Sequence, residues 1–253
     1  MAALVGKSVL ITGGGSGIGR GVAKYFVERG ARVVITGRRE SKLKEVCGEL
    51  KGDISYVVGD VTDNEERKKM INTSVEFGGG LDALISNAGN MYRCDVEDFN
   101  EEKLLQVFHS NVIGGMMLVK EAYQALKDSE GCVIFVGSVH TQRAFPNASP
   151  YAATKGALEA LTGVLAAELG KDNIRVGCIR PGGVPTEINV RAGLSSQGES
   201  DERLKSMGNL HALGRPGTTE EVAEAFEYLV NAKWATGNIL TIDGGLGLGV
   251  TQE

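Results

Sequence analysis

The feature that most constrains the fold is a regular alternation of short, β-branched runs with longer segments of helical periodicity. Runs with the length and composition of strands span 7–12, 31–37, 54–60, 81–87, 131–138, 174–182 and 237–245. Segments of helical periodicity lie between them, at 17–30, 39–50, 64–77, 99–127, 151–169 and 219–231. Because strands that alternate with helices form βαβ units, the pattern predicts a doubly wound parallel sheet of the α/β class, covered by helices.

The size of the chain predicts a single domain that spans residues 1–253. With 253 residues, of which 42% are hydrophobic, the chain can bury one large core. The least regular segment is 183–218, which is rich in glycine, serine and polar residues. We interpret it as a substrate lid, because long irregular segments in compact domains are often functional. A plain surface excursion is the alternative.

Composition argues against several classes of partner. A net charge of −5 is unlike the basic surface of a nucleic-acid-binding protein. No apolar run approaches the roughly 18 residues that span a bilayer, and the N-terminus does not resemble a signal peptide. The four cysteines form no CxxC pair and the three histidines are scattered. We therefore expect a soluble, cytoplasmic protein with reduced cysteines, no metal, no nucleic acid, no membrane insertion and a small-molecule substrate.

A glycine-rich turn connects the first predicted strand to the first predicted helix. It reads TGGGSGIG over residues 12–19, with glycines at Gly13, Gly17 and Gly19. In this position glycines let backbone N–H groups and a helix N-terminus face a diphosphate. The turn therefore predicts a dinucleotide site, with a tight turn that serves packing alone as the alternative.

The end of the second predicted strand bears on the choice of cofactor. Dinucleotide-binding folds usually place an acidic residue there to bind the adenosine ribose. Here Gly37 stands at that position and is followed by Arg38 and Arg39. A guanidinium can bind a 2′-phosphate through paired hydrogen bonds, so NADP(H) is favoured over NAD(H). NAD(H) stays open, because Glu40 could reach a ribose and the arginines could simply be solvated.

Tyr151 and Lys155 form the most suggestive pair of polar residues. They are four residues apart in a predicted helix, a spacing that places side chains about 5–6 Å apart. A free tyrosine has a pKa of about 10, and a lysine at that distance is expected to lower it by about 2 units. Ser138 ends a predicted strand, where its hydroxyl can donate to an oxygen that develops charge. The three residues predict a site of proton transfer.

The sequence resembles the short-chain dehydrogenase/reductase family over nearly its whole length. The motifs that carry the resemblance occur in the family's order: TGGGSGIG (12–19), NAG (87–89), Asn111, Ser138, YAATK (151–155) and PGGVPT (181–186). The resemblance implies a Rossmann-type fold with a seven-stranded parallel sheet. It also implies hydride transfer between a nicotinamide cofactor and an alcohol or carbonyl, in a homodimer or homotetramer.

The resemblance implies a role for each matching residue. Tyr151 transfers the proton, Lys155 binds the nicotinamide ribose and tunes Tyr151, and Asn111 orders a water beside Lys155. Ser138 binds the substrate oxygen. The predicted substrate site comprises Ser138 and Tyr151, together with His140, which departs from the family's pattern. The predicted cofactor site comprises Tyr151, Lys155, Gly13, Ser16, Gly17, Ile18, Gly19, Arg38, Arg39, Asp60, Val61, Asn87, Ala88, Gly89, Pro181, Gly182, Val184 and Thr186.

Several questions stay open on the sequence alone. His140 stands where family members commonly have a small residue, and it can face the substrate or pack within its loop. The substrate can be a 3-oxoacyl thioester, a hydroxysteroid, or a small alcohol or polyol. A serine hydrolase built on Ser138 and His140 is disfavoured, because the sequence has no GxSxG elbow. A non-catalytic cofactor-binding or interaction protein on the same fold is the alternative of a different class.

Overall fold

A parallel sheet of seven strands forms the centre of the computed structural model, which describes residues 4–249. In chain order the strands are β1 (Ser8–Thr12), β2 (Arg32–Gly37), β3 (Ile54–Val58), β4 (Ala83–Ser86), β5 (Cys132–Val136), β6 (Arg175–Pro181) and β7 (Asn238–Ile242). Their spatial order is β3-β2-β1-β4-β5-β6-β7, and every neighbouring pair is parallel. The doubly wound sheet that the sequence predicts is therefore confirmed.

Nine helices surround the sheet within the described residues. They are α1 (Gly17–Val27), α2 (Glu40–Glu49), α3 (Asn64–Gly78), α4 (Glu101–Phe108), α5 (Gly114–Asp128), α6 (Ser149–Leu169), α7 (Ile188–Arg191), α8 (Gln197–Ser206) and α9 (Thr219–Asn231). Helices α1, α2 and α9 cover one face, and α3, α5 and α6 cover the other.

The core has two halves because successive strand residues point to opposite faces. In β1, Val9 and Ile11 pack in the half under α1 and α9, beside Phe26. Leu10 lies between them in sequence and packs in the other half, beside Phe135. All of these side chains are almost fully buried, which explains why the central strands appear as continuous apolar runs.

The strand order fixes where a ligand can bind. After β1 the chain continues to β2 on one side, and β4 pairs with β1 on the other side, so the order reverses between β1 and β4. In sheets of this kind a crevice opens at the carboxyl ends of the strands at this point. The glycine-rich turn follows β1 and the NAG motif follows β4, which places both motifs at the crevice.

The single helix predicted over 99–127 is wrong in one respect. The chain forms α4, then a π-helical turn over His109–Ile113, and then α5. A π-turn inserts one extra residue into a helix, and hydrophobic periodicity is too coarse to reveal it. Asn111 lies within this turn and is buried.

The segment 183–218 is less irregular than the sequence suggests. It contains α7, α8 and a 3₁₀ turn over Gly208–Leu210. Ser196 and Glu199 form a capping box at the start of α8, which satisfies free backbone N–H groups. Ser200 is the helix's buried residue, so α8 carries no apolar stripe that the sequence pattern could reveal.

Residues 4–249 bear on the membrane and metal sites that the composition argues against. No helix there is long and apolar enough to cross a bilayer. The same residues hold no group of three or more His, Cys, Asp or Glu side chains arranged to bind a metal. All four cysteines are free thiols. Cytoplasmic localisation stays a prediction.

Close packing between α1 and α9 yields a test of stability. A β-carbon at Gly21 would overlap the Thr219 side chain at the start of α9. We expect Gly21→Ala to lower the free energy of unfolding by about 1–3 kcal/mol, because the core must shift to admit the methyl group. Gly48→Ala in α2 is the matched control, since nothing lies within 4 Å of its β-carbon. It should gain up to about 1 kcal/mol from helix propensity. Urea unfolding measures both, and equal stability of the two variants would contradict the packing.

Candidate active site

The turn between β1 and α1 is held against the end of β4. The Asn87 side chain donates to the carbonyls of Thr12 and Gly13, at 2.8 Å and 3.3 Å. A β-carbon at Gly19 would overlap both the Gly13 carbonyl and the Asn87 amide. Only a glycine at this position therefore lets the start of α1 pack this closely against Gly13 and Asn87. Gly17 has a φ of 54°, in the left-handed region that glycine adopts readily. The turn therefore keeps the helix N-terminus free of side-chain bulk.

Two adjoining cavities lie along the carboxyl edge of the sheet. The first, of about 190 Å³, is lined by most of the predicted nicotinamide and substrate residues: Gly13, Ser16, Gly17, Ile18, Asn87, Ala88, Gly89, Ser138, His140, Tyr151, Lys155, Pro181, Gly182, Val184 and Thr186. The second, of about 290 Å³, is lined by Arg38, Asp60 and Val61, and it shares Gly13, Ala88 and Gly89 with the first. The two cavities adjoin at the glycine turn and together form a cleft, at the edge of the sheet where folds of this kind bind dinucleotides.

Three predicted site residues line neither cavity. Gly19 lies beneath the turn, where it packs on Gly13 and Asn87. Asn111 is buried behind the cleft. The guanidinium of Arg39 points toward the segment 183–218 and pairs there with the carboxylate of Glu187. They therefore support the cavity wall or its rim and do not face the cavities directly.

The two arginines after β2 have different environments. Arg38 lines the second cavity, and its Nη1 lies 3.6 Å from Oδ2 of Asp60. Arg39 places Nη2 at 2.8 Å from Oε2 of Glu187 and 3.3 Å from Oγ of Ser16. Arg38 is therefore the one that faces the second cavity, while Arg39 joins the glycine turn to the segment after β6.

Tyr151 and Lys155 lie together in the first turns of α6, as their spacing predicts. Both are buried, with 7% and 4% of their surfaces exposed. The Lys155 ammonium lies 5.4 Å from the centre of the Tyr151 ring, and it donates to the Val136 carbonyl at 2.7 Å. This bond fixes the lysine against the end of β5, beside the cavity.

Burial dominates the acid–base properties of this pair. It raises the pKa of Tyr151, although the Ser138 hydroxyl and the charge of Arg93 act in the opposite direction. Burial also lowers the pKa of Lys155 to about 8. The expected net lowering of the Tyr151 pKa by Lys155 is therefore wrong for the protein alone. Both charged forms lose hydration in the buried site, and that loss is the largest cause of both pKa shifts.

Asn111 links α6 to the loop that follows β4. Its Nδ2 donates to the Asn90 carbonyl at 2.9 Å and to Oγ1 of Thr154 at 3.0 Å. Its Oδ1 accepts from the Asn90 backbone N–H at 2.7 Å. The side chain thus holds the loop against the turn that precedes Lys155. Its predicted role in ordering a water stays a prediction.

Ser138, His140 and Arg93 form a chain of hydrogen bonds in the first cavity. Nη2 of Arg93 lies 3.2 Å from Nε2 of His140, and Nδ1 of His140 lies 3.0 Å from Oγ of Ser138. Burial, followed by the charges of Arg93, Arg203 and Lys155, lowers the pKa of His140 to about 4, so the ring is neutral near pH 7.

The direction of this chain follows from the donors available. Arginine can only donate, so Nε2 of the neutral His140 accepts and Nδ1 carries the proton. That proton is donated to Oγ of Ser138, whose own hydrogen is then free for an oxygen in the cavity. His140 therefore faces the cavity, and its effect is to leave Ser138 as a hydrogen-bond donor there.

Three arginines of the first cavity were not predicted from the sequence. Arg93 lies in the loop after β4, Arg191 in α7 and Arg203 in α8. Arg191 also lines the second cavity and donates to the Gly89 carbonyl at 3.3 Å. The one available signal was the position of Arg93 shortly after the carboxyl end of a parallel strand.

The chain is similar to known dehydrogenases and reductases. A family model described as enoyl-(acyl carrier protein) reductase matches residues 13–247. Glucose 1-dehydrogenase of Gluconobacter oxydans is 34% identical over 251 residues, which cover 96% of this chain and 92% of that protein.

Two solved structures are also similar. The 3-ketoacyl-(acyl-carrier-protein) reductase of Brucella melitensis, complexed with NADH, has a TM-score of 0.87 at 28% identity and covers 96% of this chain and 99% of its own. A short-chain dehydrogenase/reductase of unknown function from Caenorhabditis elegans, with cofactor, has a TM-score of 0.88 at 27% identity and covers 98% and 97%.

The buried lysine yields a prediction about pH and stability. The pKa of Lys155 is about 8 in the folded protein, below its ordinary value of 10.5. Between these values the unfolded chain binds the extra proton, so stability rises with pH. We expect wild type to gain stability relative to Lys155→Met from pH 7 to pH 10, toward a full gain of about 3 kcal/mol. Urea unfolding at each pH measures this difference, and values at pH 6 and 7 serve as the reference. A difference that stays constant up to pH 10 would contradict the buried position.

Proposed function

Because this chain belongs to the short-chain dehydrogenase/reductase family of nicotinamide-dependent oxidoreductases, we propose that it transfers a hydride between NADP(H) and a carbonyl or secondary alcohol. The observation that carries this proposal is the meeting of Ser138, Tyr151 and Lys155 in one cavity. That cavity is continuous with the cleft at the glycine turn.

The residues of the cleft fit a dinucleotide. Gly13 and Gly17 of the turn line the first cavity without side chains, which leaves room there, and the start of α1 can face a diphosphate. Lys155 would hold the nicotinamide ribose, and Arg38 would hold a 2′-phosphate at the far end. When bound, the nicotinamide supplies or accepts the hydride.

The remaining chemistry belongs to the side chains of this protein. During reduction Tyr151 gives its phenolic proton to the substrate oxygen, while Ser138 donates a hydrogen bond to the same atom. The raised pKa of Tyr151 keeps the phenol protonated near pH 7, which is the form that a proton donor needs. After this transfer Tyr151 is a tyrosinate, and the positive charge of Lys155, which lines the same cavity, favours that form.

The choice of NADP(H) rests on Gly37 and Arg38. No acidic side chain stands at the end of β2 to repel a phosphate, and Arg38 lines the adenosine end of the cleft. Asp60 lies beside Arg38 and competes for its charge. NAD(H) is the alternative, because the Brucella reductase was solved with NADH.

We also propose that the segment 183–218 is a lid over the substrate. It contributes Arg203 and Leu204 of α8 to the cavity wall, and Glu187 and Arg191 join it to the cofactor side. Substrates of the 3-oxoacyl, hydroxysteroid and small alcohol or polyol classes remain candidates. The Brucella reductase is named for a 3-ketoacyl substrate and the Gluconobacter dehydrogenase for glucose, which correspond to the first and last of these classes.

A homo-oligomer is proposed from the exposed apolar side chains of α4 to α6. Leu105 and Val164 are 65% and 56% exposed, and Ile113 and Met116, which lie between them in the sequence, are also exposed. A second copy of this chain would cover such a face, since soluble monomers rarely expose continuous apolar surface. A dimer and a tetramer both fit this proposal.

The proton donor can be tested directly. We expect Tyr151→Phe to lower kcat/KM for ketone reduction with NADPH by about 10²–10⁴-fold, because general acid catalysis is lost. The absorbance of NADPH follows the reaction over a broad panel of ketones. Tyr228→Phe, at an exposed position of α9, is the matched control and should retain activity. Unchanged activity in Tyr151→Phe would refute the proposed donor, and NADPH binding without turnover of any ketone would favour a non-catalytic protein.

The cofactor preference can be tested separately. We expect Arg38→Ala to lower the ratio of kcat/KM with NADPH to that with NADH by about tenfold or more, because a charge-assisted hydrogen bond to the phosphate is lost. Arg20→Ala is the matched control, since Arg20 pairs with Glu45 and Glu49 on the surface and lines neither cavity. A ratio that Arg38→Ala leaves unchanged would show that Arg38 does not bind the phosphate.

A further inference from the structure

The first cavity carries more positive charge than hydride transfer requires. Arg93, Arg191 and Arg203 line it together with Lys155. Lys155 has a place in the proposed reaction, and Arg191 bonds the Gly89 carbonyl on the cofactor side. Arg93 and Arg203 have no such role, and they lie on the side where the substrate would bind, beside Ser138 and His140.

The acidic residues of the cavity do not neutralise these two arginines. Glu187 is paired with Arg39 at 2.8 Å. Asp201 lies on α8 and accepts a hydrogen bond from Gln197 at 2.9 Å. Within residues 4–249 no carboxylate comes within 4.0 Å of Arg93 or Arg203.

The position of Arg93 costs folding free energy. Its Nε is buried and has no hydrogen-bond partner, and among the described residues its side chain bonds only to Nε2 of His140. An arginine stays charged, and a charge removed from water costs free energy unless an opposite charge compensates it. A negatively charged group bound beside Arg93 would supply that compensation.

Arg203 of α8 adds a second positive charge to the same cavity. It is exposed on α8 and carries its charge close enough to lower the pKa of both Arg93 and His140. Two like charges, one in the loop after β4 and one in the segment 183–218, therefore repel each other in the cavity. An anion between them would replace this repulsion by two attractions.

The reacting group would lie one imidazole ring away from the anion. His140 stands between Arg93 and Ser138, contacting Arg93 through Nε2 and Ser138 through Nδ1. A substrate oxygen at Ser138 and an anionic group at Arg93 are therefore separated by about the width of that ring and its two hydrogen bonds. A short carbon chain can span this separation.

We propose that the substrate is an oxo acid or hydroxy acid, whose carboxylate binds between Arg93 and Arg203 while its carbonyl or hydroxyl oxygen lies at Ser138 and Tyr151. The inference rests on the proposed function and narrows its substrate class. Reduction adds a hydride from NADPH to the carbonyl carbon and a proton from Tyr151 to the oxygen, which yields a hydroxy acid and NADP⁺. The carboxylate is unchanged and serves to orient the substrate and to draw α8 over it.

The test compares each acid with its neutral ester. The probes are 4-oxopentanoate, 5-oxohexanoate and 6-oxoheptanoate, each beside its methyl ester, with NADPH as the reductant. For at least one chain length we expect kcat/KM of the acid to exceed that of the ester by about tenfold or more, as a charge-assisted contact predicts. Arg93→Gln and Arg203→Gln should each bring this ratio close to one. Lys205→Gln, on the same helix but outside the cavity, should keep the wild-type ratio.

The outcomes separate this inference from the proposed function. If esters are reduced in a manner that depends on Tyr151 and no acid is preferred, the inference is overturned and the proposed function stands. If neither acids nor esters are turned over, calorimetry on the protein loaded with NADPH decides. Acid binding at least tenfold tighter than ester binding, and lost in Arg203→Gln, supports the inference, whereas equal binding overturns it. Arg203 is exposed, so its variant is informative even if Arg93→Gln does not fold.

Discussion

The parallel direction of all seven strands is the constraint on which the rest of the molecule depends. It places the residue after every strand at one edge of the sheet, and the reversal of order between β1 and β4 opens a crevice there. Residues that are far apart in sequence therefore lie along the same edge of the sheet: the glycine turn after β1, Asn87 after β4 and Ser138 after β5. The hydrogen bonds from Asn87 to Thr12 and Gly13 hold two of these ends together.

Burial gives the site its chemical character. Removing water from around Tyr151 and Lys155 disfavours both of their charged forms, and the same loss of water keeps His140 neutral. A neutral His140 can accept a hydrogen bond from Arg93 and donate one to Ser138. The ring therefore links the arginine to the serine hydroxyl. The same site holds two arginines without carboxylate partners, and the Nε of one of them, Arg93, is buried without a hydrogen-bond partner.

Some of this molecule could be predicted from its sequence and some could not. The strands and the glycine turn were predictable because each leaves a local signal, either β-branched runs or glycines between a strand and a helix. The π-turn around Asn111 leaves no such signal, and neither does α8, whose buried residue is Ser200. The spacing of Tyr151 and Lys155 predicted their proximity correctly but not the direction of the pKa change in Tyr151. That direction depends on hydration, which only the packed structure reveals. Arg93 lies in a loop, where no periodicity indicates the side chain's direction.

The π-turn at His109–Ile113 also separates the surfaces that α4 and α5 present. One extra residue in a helix turns everything after it by about 100° relative to an uninterrupted helix. The buried stripe of α5, which includes Leu118, Ala122 and Leu126, therefore faces the sheet independently of the exposed stripe of α4 that carries Leu105. Deleting one residue from this turn would impose a single register on both helices. The packing of α5 on the sheet and the present position of Asn111 could then not both be kept. The number of residues in this turn is therefore constrained more strongly than their identity.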